Sequence, residues 1–276
     1  MTRSAAGTIE ELWAERFAEP VFALTADQDW APEWAIERFL AYVREERVPV
    51  HVFTTNPSAA LGETRGDGGV TLGAHPNFGP GSTQGSTPEK VIATCRSLVP
   101  DARTFRSHSY AEDAKTLSLL LDAGFETDSN LCLFLQPNVV PLLHATGLLR
   151  LPVFLDDDSL LLWDSGGELD LEPMRTALAT PGLKILNFHP TLFALNAPSA
   201  AHYEASRASI YGTPAAEVAP YEGRGIADVL REVIETIRSA GHALRSFEEI
   251  ADEAWRDLRA LPDPALYGWA ARPGGA

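Results

Sequence analysis

Positive charge is scarce in this sequence. Its 276 residues carry 22 Lys and Arg against 38 Asp and Glu, a formal net charge of −16 at pH 7. That balance argues against a nucleic-acid partner, because phosphate binding needs clustered Lys and Arg to displace counterions, and no basic run is present. Cysteine is rarer still. Cys95 and Cys132 stand far apart and form neither a disulfide framework nor a cysteine zinc motif. No apolar run is long enough to span a bilayer. The first twenty residues interleave Glu10, Glu11, Glu15 and Glu19 with apolar positions, so no secretory signal is expected. These absences lead to the expectation of a reducing, cytoplasmic compartment. No internal repeat is visible.

What the chain does have is alternation. Hydrophobic residues make up 45% of it, enough for a sizeable core, and its length suits a single α/β barrel. Thr8-Ile9-Glu10-Glu11 has capping-box spacing ahead of Leu12, Trp13 and Phe17, which predicts an opening helix. Residues 21–26 read as a short buried strand. Pro32 suits the first turn of a helix whose apolar positions Trp34, Ile36, Phe39, Leu40 and Val43 recur at near-helical spacing. Residues 48–54 and 70–75 read as the second and third strands, and 102–105 as a short fourth. A helix over 112–123 stops at Gly124. Residues 125–130 repeat the strand pattern weakly, 149–155 form a further strand ending on Asp156, Asp157 and Asp158, and 183–189 form a late one. Residues 198–220 are aperiodic and read as an excursion, with a helix over 199–210 as the alternative. Helices are predicted over 226–240 and 246–261. Strand alternates with helix, which predicts a parallel sheet of about seven βα units rather than a sandwich or bundle.

The chemically capable residues fall at the ends of these strands. Asp27 and Asp29 close the first, His75 the third and His189 the late one, while His108 follows the fourth. In a parallel barrel all the strand C-termini share one rim. Residues two apart on an extended chain share a face, so strand geometry persisting through Gln28 would aim both carboxylates into one pocket, where a cation relieves their repulsion. The competing use of the two acids is to cap the helix near Pro32. A lone His after a strand is more often a satisfied structural group than a ligand, and His51, His144, His202 and His242 are read that way. Asp29, His75 and His108 supply the carboxylate and two imidazoles of a catalytic divalent-metal site with an open position. Zinc suits that set, with Mn, Co and Ni as alternatives. Asp27 is then placed to take a proton from water and His189 to protonate a leaving group, the opposed roles that amide or ester hydrolysis requires.

An ordered series of segments carries a more specific resemblance. Thr25-Ala26-Asp27-Gln28-Asp29 resembles the Thr-Phe-Asp-Asp-Gly motif of the polysaccharide deacetylase family, carbohydrate esterases with a NodB-type fold, in which the first Asp is the base and the second binds metal. Gly73-Ala74-His75-Pro76-Asn77 resembles the second motif, His-(Ser/Thr)-x-x-His-Pro, whose histidines bind metal. Arg106-Ser107-His108-Ser109-Tyr110 resembles Arg-x-Pro-Tyr, whose Arg orients the base and whose Tyr gives a backbone N–H to the oxyanion. Residues 124–130 are similar to Gly-Phe-x-x-Asp-Ser-Ser, and Asn187-Phe188-His189-Pro190 fits the late strand with the catalytic His. The departures are specific. Gln28 stands where the metal-binding Asp belongs, Thr71 where the first His belongs, and Tyr110 falls one residue late. The metal-ligand role passes to Asp29, and His108, in place of the usual proline, restores the imidazole count.

The resemblance implies a divergent member with one α/β domain, a deformed, incomplete (β/α)7 barrel of parallel strands over residues 21–262. A helical lead-in over 1–20 precedes it and a flexible tail over 263–276 follows. It implies a metal-dependent hydrolase that removes acetyl from an N-acetylated sugar in a glycan or glycoconjugate; the expected absence of a secretory signal favours an intracellular glycan precursor or small glycoconjugate over an assembled cell wall. Asp27 is the implied base, His189 the acid, Arg106 the residue that orients the base and Tyr110 the oxyanion donor. Asp29, His75 and His108 are the implied metal ligands. Trp30, Asn77, Asp128 and Asp157 are the candidate substrate-contacting residues, with Asp157 or Asp158 alternatively orienting His189. Two other readings remain at this point: a hydrolase of a non-sugar amide or imide on the same fold, and a carbohydrate-binding relative that lost its metal at Thr71. The oligomeric state is left open.

Overall fold

The computed structural model describes residues 8–64, 66–163, 172–211 and 218–261. The predicted tail lies outside them. The strands are β1 (Pro20–Asp27), β2 (Val50–Thr54), β3 (Val70–Ala74), β4 (Thr104–Phe105), β5 (Thr127–Asp128), β6 (Leu142–Leu143), β7 (Leu149–Arg150), β8 (Val153–Asp156), β9 (Gly182–Phe188) and β10 (Leu244–Arg245). The helices are α1 (Ile9–Arg16), α2 (Glu33–Glu45), α3 (Ala59–Gly62), α4 (Pro88–Leu98), α5 (Ala114–Asp122), α6 (Asp157–Trp163), α7 (Glu172–Leu178), α8 (Pro190–Leu195), α9 (Ala200–Ile210), α10 (Ile226–Ser239) and α11 (Phe247–Arg259). They build a curled, incomplete barrel in the order β6-β7-β5-β4-β3-β2-β1-β9-β8. Every pairing is parallel except β6 with β7. β10 pairs with Phe22 and Ala23, below the stretch of β1 that pairs with β2. Backbone bonds such as Leu133 N–H to the Val153 carbonyl, 2.8 Å, bridge the segment after β5 to β8 and draw the ends of the sheet together.

The two-residue period of the strands sorts side chains between two cores. On the outside, Leu24, Ala26, Val50, Val52, Leu186 and Phe188 are buried with α2, α8 and α10 in one cluster. Each such Leu, Val or Phe contributes about 1.5–3 kcal/mol of burial. On the inside, Ala23, Phe53, Leu183 and Ile185 pack with Trp13 of α1 and with Phe247, Ile250 and Trp255 of α11 in a second cluster, which forms the floor. The positions above them on the same inward face are polar: Thr25, Asp27 and Asn187 are all buried. The barrel is therefore greasy at the floor and hydrogen-bonded toward the rim.

Several sequence expectations need amendment. The expected seven units become ten strands among the described residues, because β4, β5, β6, β7 and β10 are two-residue strands too short to show a period. The strand expected over 149–155 is two strands on separate parts of the sheet, β7 against β5 and β8 against β9. Residues 200–210 of the expected excursion are helical, capped by Ser199. Pro32 is the N-cap residue rather than the first helical one, and no side chain caps α2. Asp27 and Asp29 therefore do not serve as its cap. Among the described residues no helix is long and apolar enough to cross a membrane.

His51 is a structural group, as read from the sequence. Fully buried, its ring hydrogen-bonds Thr71 Oγ1 at 2.7 Å and Thr104 Oγ1 at 2.8 Å and stacks on Phe247. Gly73 makes room for it, since a Cβ there would lie 2.5 Å from His51 Nε2. Burial, aided by the charge of Arg106, lowers the His51 pKa from 6.5 to about 3. Between those values the unfolded chain binds a proton that the folded one refuses, so this residue's contribution to stability rises with pH across that window and is full above pH 6.5. His51→Gln should flatten the acid limb of a urea-midpoint profile between pH 6.5 and about 3. An unchanged slope would show that His51 takes up its proton in the folded state.

Candidate active site

β1 ends on Asp27, which is buried and held from two sides. Arg106 Nη1 donates to its Oδ1 at 2.9 Å and Asn187 Nδ2 to its Oδ2 at 3.0 Å. Arg106 is itself fully buried. Its Nε donates to the Ser129 carbonyl at 3.0 Å, Nη1 also to Asn187 Oδ1 at 2.5 Å, and Nη2 to Thr25 Oγ1 at 3.0 Å and Ser129 Oγ at 2.8 Å. All five guanidinium N–H groups are thus matched. Burial alone would raise the Asp27 pKa, but Arg106, then His75 and His189, bring it below its ordinary 3.8. Asp27 is ionised at neutral pH.

Past Asp27 the chain leaves strand geometry. Asp29 and Trp30 take left-handed backbone with φ of 44° and 55°, at a cost of about 1–3 kcal/mol each. This turn, rather than an extended Gln28, brings Asp29 back over the rim. Gln28 is buried and its side-chain carbonyl accepts the Thr55 and Asn56 N–H groups at 2.9 and 3.2 Å. Asp29 Oδ1 lies 2.9 Å from His75 Nε2 and 3.0 Å from His108 Nδ1. The three side chains offer one donor atom apiece, all within 4.8 Å of one another. Burial would raise the Asp29 pKa, but the hydrogen bonds from His108 and His75 hold it well below 3.8. The same bond to Asp29 raises His108 above 6.5.

His189, the N-cap residue of α8, completes the arrangement. Its Nδ1 lies 2.6 Å from Asp157 Oδ1, and its backbone N–H donates to Asp157 Oδ2 at 2.8 Å. Nε2 faces the acids, 3.5 Å from Asp29 Oδ2 and 3.9 Å from Asp27 Oδ2. Burial would lower the His189 pKa, but Asp158, Asp157 and Asp29 outweigh it and hold it well above 6.5. Burial raises the Asp157 pKa to about 7, with His189 pulling against that rise.

The remaining expected residues differ in where the structure places them. Asp128 is buried and both its oxygens are engaged: Oδ1 accepts from Arg150 Nε at 2.8 Å and from the Asn130 N–H at 3.1 Å, and Oδ2 accepts from Arg150 Nη2 at 3.1 Å. Asn77 uses its side-chain oxygen on the Gly79 N–H at 2.8 Å. Asp157 serves His189 and is fully buried, while Asp158 beside it is exposed. Tyr110 donates its backbone N–H to the Ser107 carbonyl at 2.9 Å, so that donor is already engaged. Trp30 stands at the rim, edge-on to His108 with ring centres 5.2 Å apart. His144, His202 and His242 pair with Thr146, Tyr221 and Phe22 away from these groups. Asn187, which the sequence reading did not single out, stands on β9 two positions before His189, with its side-chain amide on Asp27 and Asp156. Gln84 was missed too; its Nε2 donates to the His75 carbonyl at 2.9 Å.

Comparisons with known proteins give the family and the fold. The family described as WbmS-like polysaccharide deacetylase matches residues 24–207, more than half of the chain. The chain belongs to that family. Among solved structures, this WbmS-like chain is similar to a Bordetella bronchiseptica protein assigned as a polysaccharide deacetylase involved in O-antigen biosynthesis. The two share 22% identity and a TM-score of 0.69 over 81% of this chain and 93% of the other. A Mycobacterium smegmatis structure assigned as a polysaccharide deacetylase aligns at 17% identity and a TM-score of 0.49, over 84% and 94% of the two chains. No curated protein matches the sequence. The likeness to the Bordetella structure establishes the shared fold, and the family match establishes a deacetylase family.

In this WbmS-like barrel the Asp27–Arg106 pair has to be kept whole. Arg106→Met retains the stem but strands a buried carboxylate, and should destabilise the protein by about 3–5 kcal/mol, read as a shift in urea midpoint. A loss below about 1 kcal/mol, the range of exposed pairs, would show that water reaches Asp27.

Proposed function

We propose that this chain is a divalent-metal-dependent deacetylase of an N-acetylated sugar in a glycan or glycoconjugate. The observation that carries the reading is the convergence of Asp29, His75 and His108 from the ends of three parallel strands, with Asp27 on one side and His189 on the other. The donor set fits a metal: two imidazole nitrogens and a carboxylate oxygen already crowd one point, with Asp29 Oδ1 shared by both rings. Zinc suits such a set, and Mn, Co and Ni use similar ones. When bound, a divalent ion there polarises a carbonyl and acidifies water.

The protein's own groups supply the proton traffic. Asp27, kept ionised by Arg106, accepts a proton on a carboxylate oxygen, and Asn187 fixes which way that carboxyl faces. His189 holds a proton on Nε2, directed by Asp157 at Nδ1, and gives it to the nitrogen that departs as the amine. The Trp30 ring beside His108 offers a flat apolar face for a sugar ring. The family match supports acetyl as the group removed and a carbohydrate as its carrier.

Purified protein assayed for bound metal and for acetate release from N-acetylated oligosaccharides tests the proposal. His75→Ala and Asp29→Ala should lose the metal. Asp27→Asn strips Arg106 of its counter-charge, so it is read per mole of folded protein, which should keep the metal and lose about 10²–10⁴-fold in rate, the range of general acid–base catalysis. Unchanged metal content in the first two variants would defeat the metal reading. Release of an acid other than acetate, from an amide or imide that is no sugar, would defeat the substrate reading alone.

A further inference from the structure

The third ligand of the proposed metal site hangs on a turn, and Asn130 spans that turn from beneath. His108 lies between Ser107 and two residues, Ser109 and Tyr110, with left-handed φ of 55° and 54°. Neither is glycine, so the turn holds its shape only where its surroundings fix it. Asn130 is buried. Its Oδ1 accepts the Ser107 N–H at 2.8 Å, before His108, and its Nδ2 donates to the Tyr110 carbonyl at 3.3 Å, after it. One amide thus pins both ends of the turn. Asn130 is fixed in its own right: Nδ2 also donates to Glu112 Oε2 at 2.8 Å, and its backbone N–H donates to Asp128 Oδ1 at 3.1 Å. Arg150 binds both carboxylates, reaching Glu112 at 2.7 Å and Asp128 at 2.8 Å. The other side of the turn is tied to the second ligand's segment, where His108 N–H donates to the Pro76 carbonyl at 2.9 Å.

We propose that Asn130, braced by the Asp128–Arg150–Glu112 cluster, is a positioning residue that sets the place of His108 as a metal ligand. The proposal rests on the metal reading above. It assigns the Asp128 carboxylate a purpose: this acid, buried 20 residues beyond His108, supports the support of the ligand. Residues that orient a ligand are worth about 10–100-fold in metal affinity. Because Asn130 would act through His108, its effect must vanish once His108 is gone.

Zinc affinity, measured by competition with a chromophoric chelator, tests this in the full-length chain. Asn130→Ala should weaken zinc about 10–100-fold, His108→Ala should weaken it at least as much, and the double variant should bind no worse than His108→Ala. Glu112→Ala, which touches the brace near the surface, should weaken zinc severalfold in the parent and not in the His108→Ala background, and it answers the question if Asn130→Ala fails to fold. Affinity unchanged by Asn130→Ala and Glu112→Ala, or losses that multiply with that of His108→Ala, would overturn the positioning role while leaving the site intact. Affinity unchanged by His108→Ala would instead overturn His108 as a ligand, and the positioning role with it.

Discussion

Asp27 and Arg106 are a carboxylate and a guanidinium set among packed side chains, and the architecture of the rim follows from keeping them satisfied. Moving either charge out of water costs several kcal/mol, and their attraction recovers that only where the remaining donors and acceptors are matched. Thr25, Ser129 and Asn187 do the matching, and they come from β1, the segment after β5 and β9. These segments must therefore arrive in register before the pair is tolerable. The polar layer that looks like a catalytic device is also what aligns the strands that carry it, because an open register would leave a buried ion with no partner. Asn187 illustrates the economy: its amide reaches Asp27 and Asp156 with its two hydrogens and accepts from Arg106 and Thr25.

How much of this was legible beforehand depended on distance along the chain. Asp27, His75 and His189 could be read because each ends an apolar run long enough to identify as a strand, and a parallel sheet collects strand ends by itself. Arg106 followed from motif resemblance, and the structure gives it the anticipated neighbour. Asp128 could not be read. Its partner Arg150 lies 22 positions away in a two-residue strand that carries no periodic signal, so nothing local distinguishes a substrate-facing acid from one locked in an ion pair. Asn77 and Tyr110 show a related limit: Asn77 spends its side-chain oxygen on the Gly79 N–H, and left-handed φ at Ser109 and Tyr110 accompanies the bond from the Tyr110 N–H to the Ser107 carbonyl, none of which the residue types announce. The position of Asp29 was anticipated, but by the wrong geometry. A left-handed turn, not a continued strand, delivers it.

The packing around His51 accounts for Thr71. In the resembled motif this position carries an imidazole; here its hydroxyl belongs to His51 inside the barrel, a layer held by Thr104 and kept open by Gly73. An imidazole at that level would have to displace a packed interior group. In the proposed assignment the second ring comes instead from the turn after β4, where His108 is part-exposed. A ligand carried on a turn rather than on a strand would trade rigidity of the backbone for dependence on the side chains beneath it.

The floor of the barrel has a bearing on where this protein's folding unit ends. The family likeness spans residues 24–207, yet the interior is closed from below by Trp13 on one flank of that span and by Phe247, Ile250 and Trp255 on the other, while β10 hydrogen-bonds directly to β1. A fragment cut to the bounds of the family match would keep every proposed site residue and still be an open cup, with Phe53, Leu183 and Ile185 stripped of that cover. Kinship and self-sufficiency thus draw different outlines on the same chain.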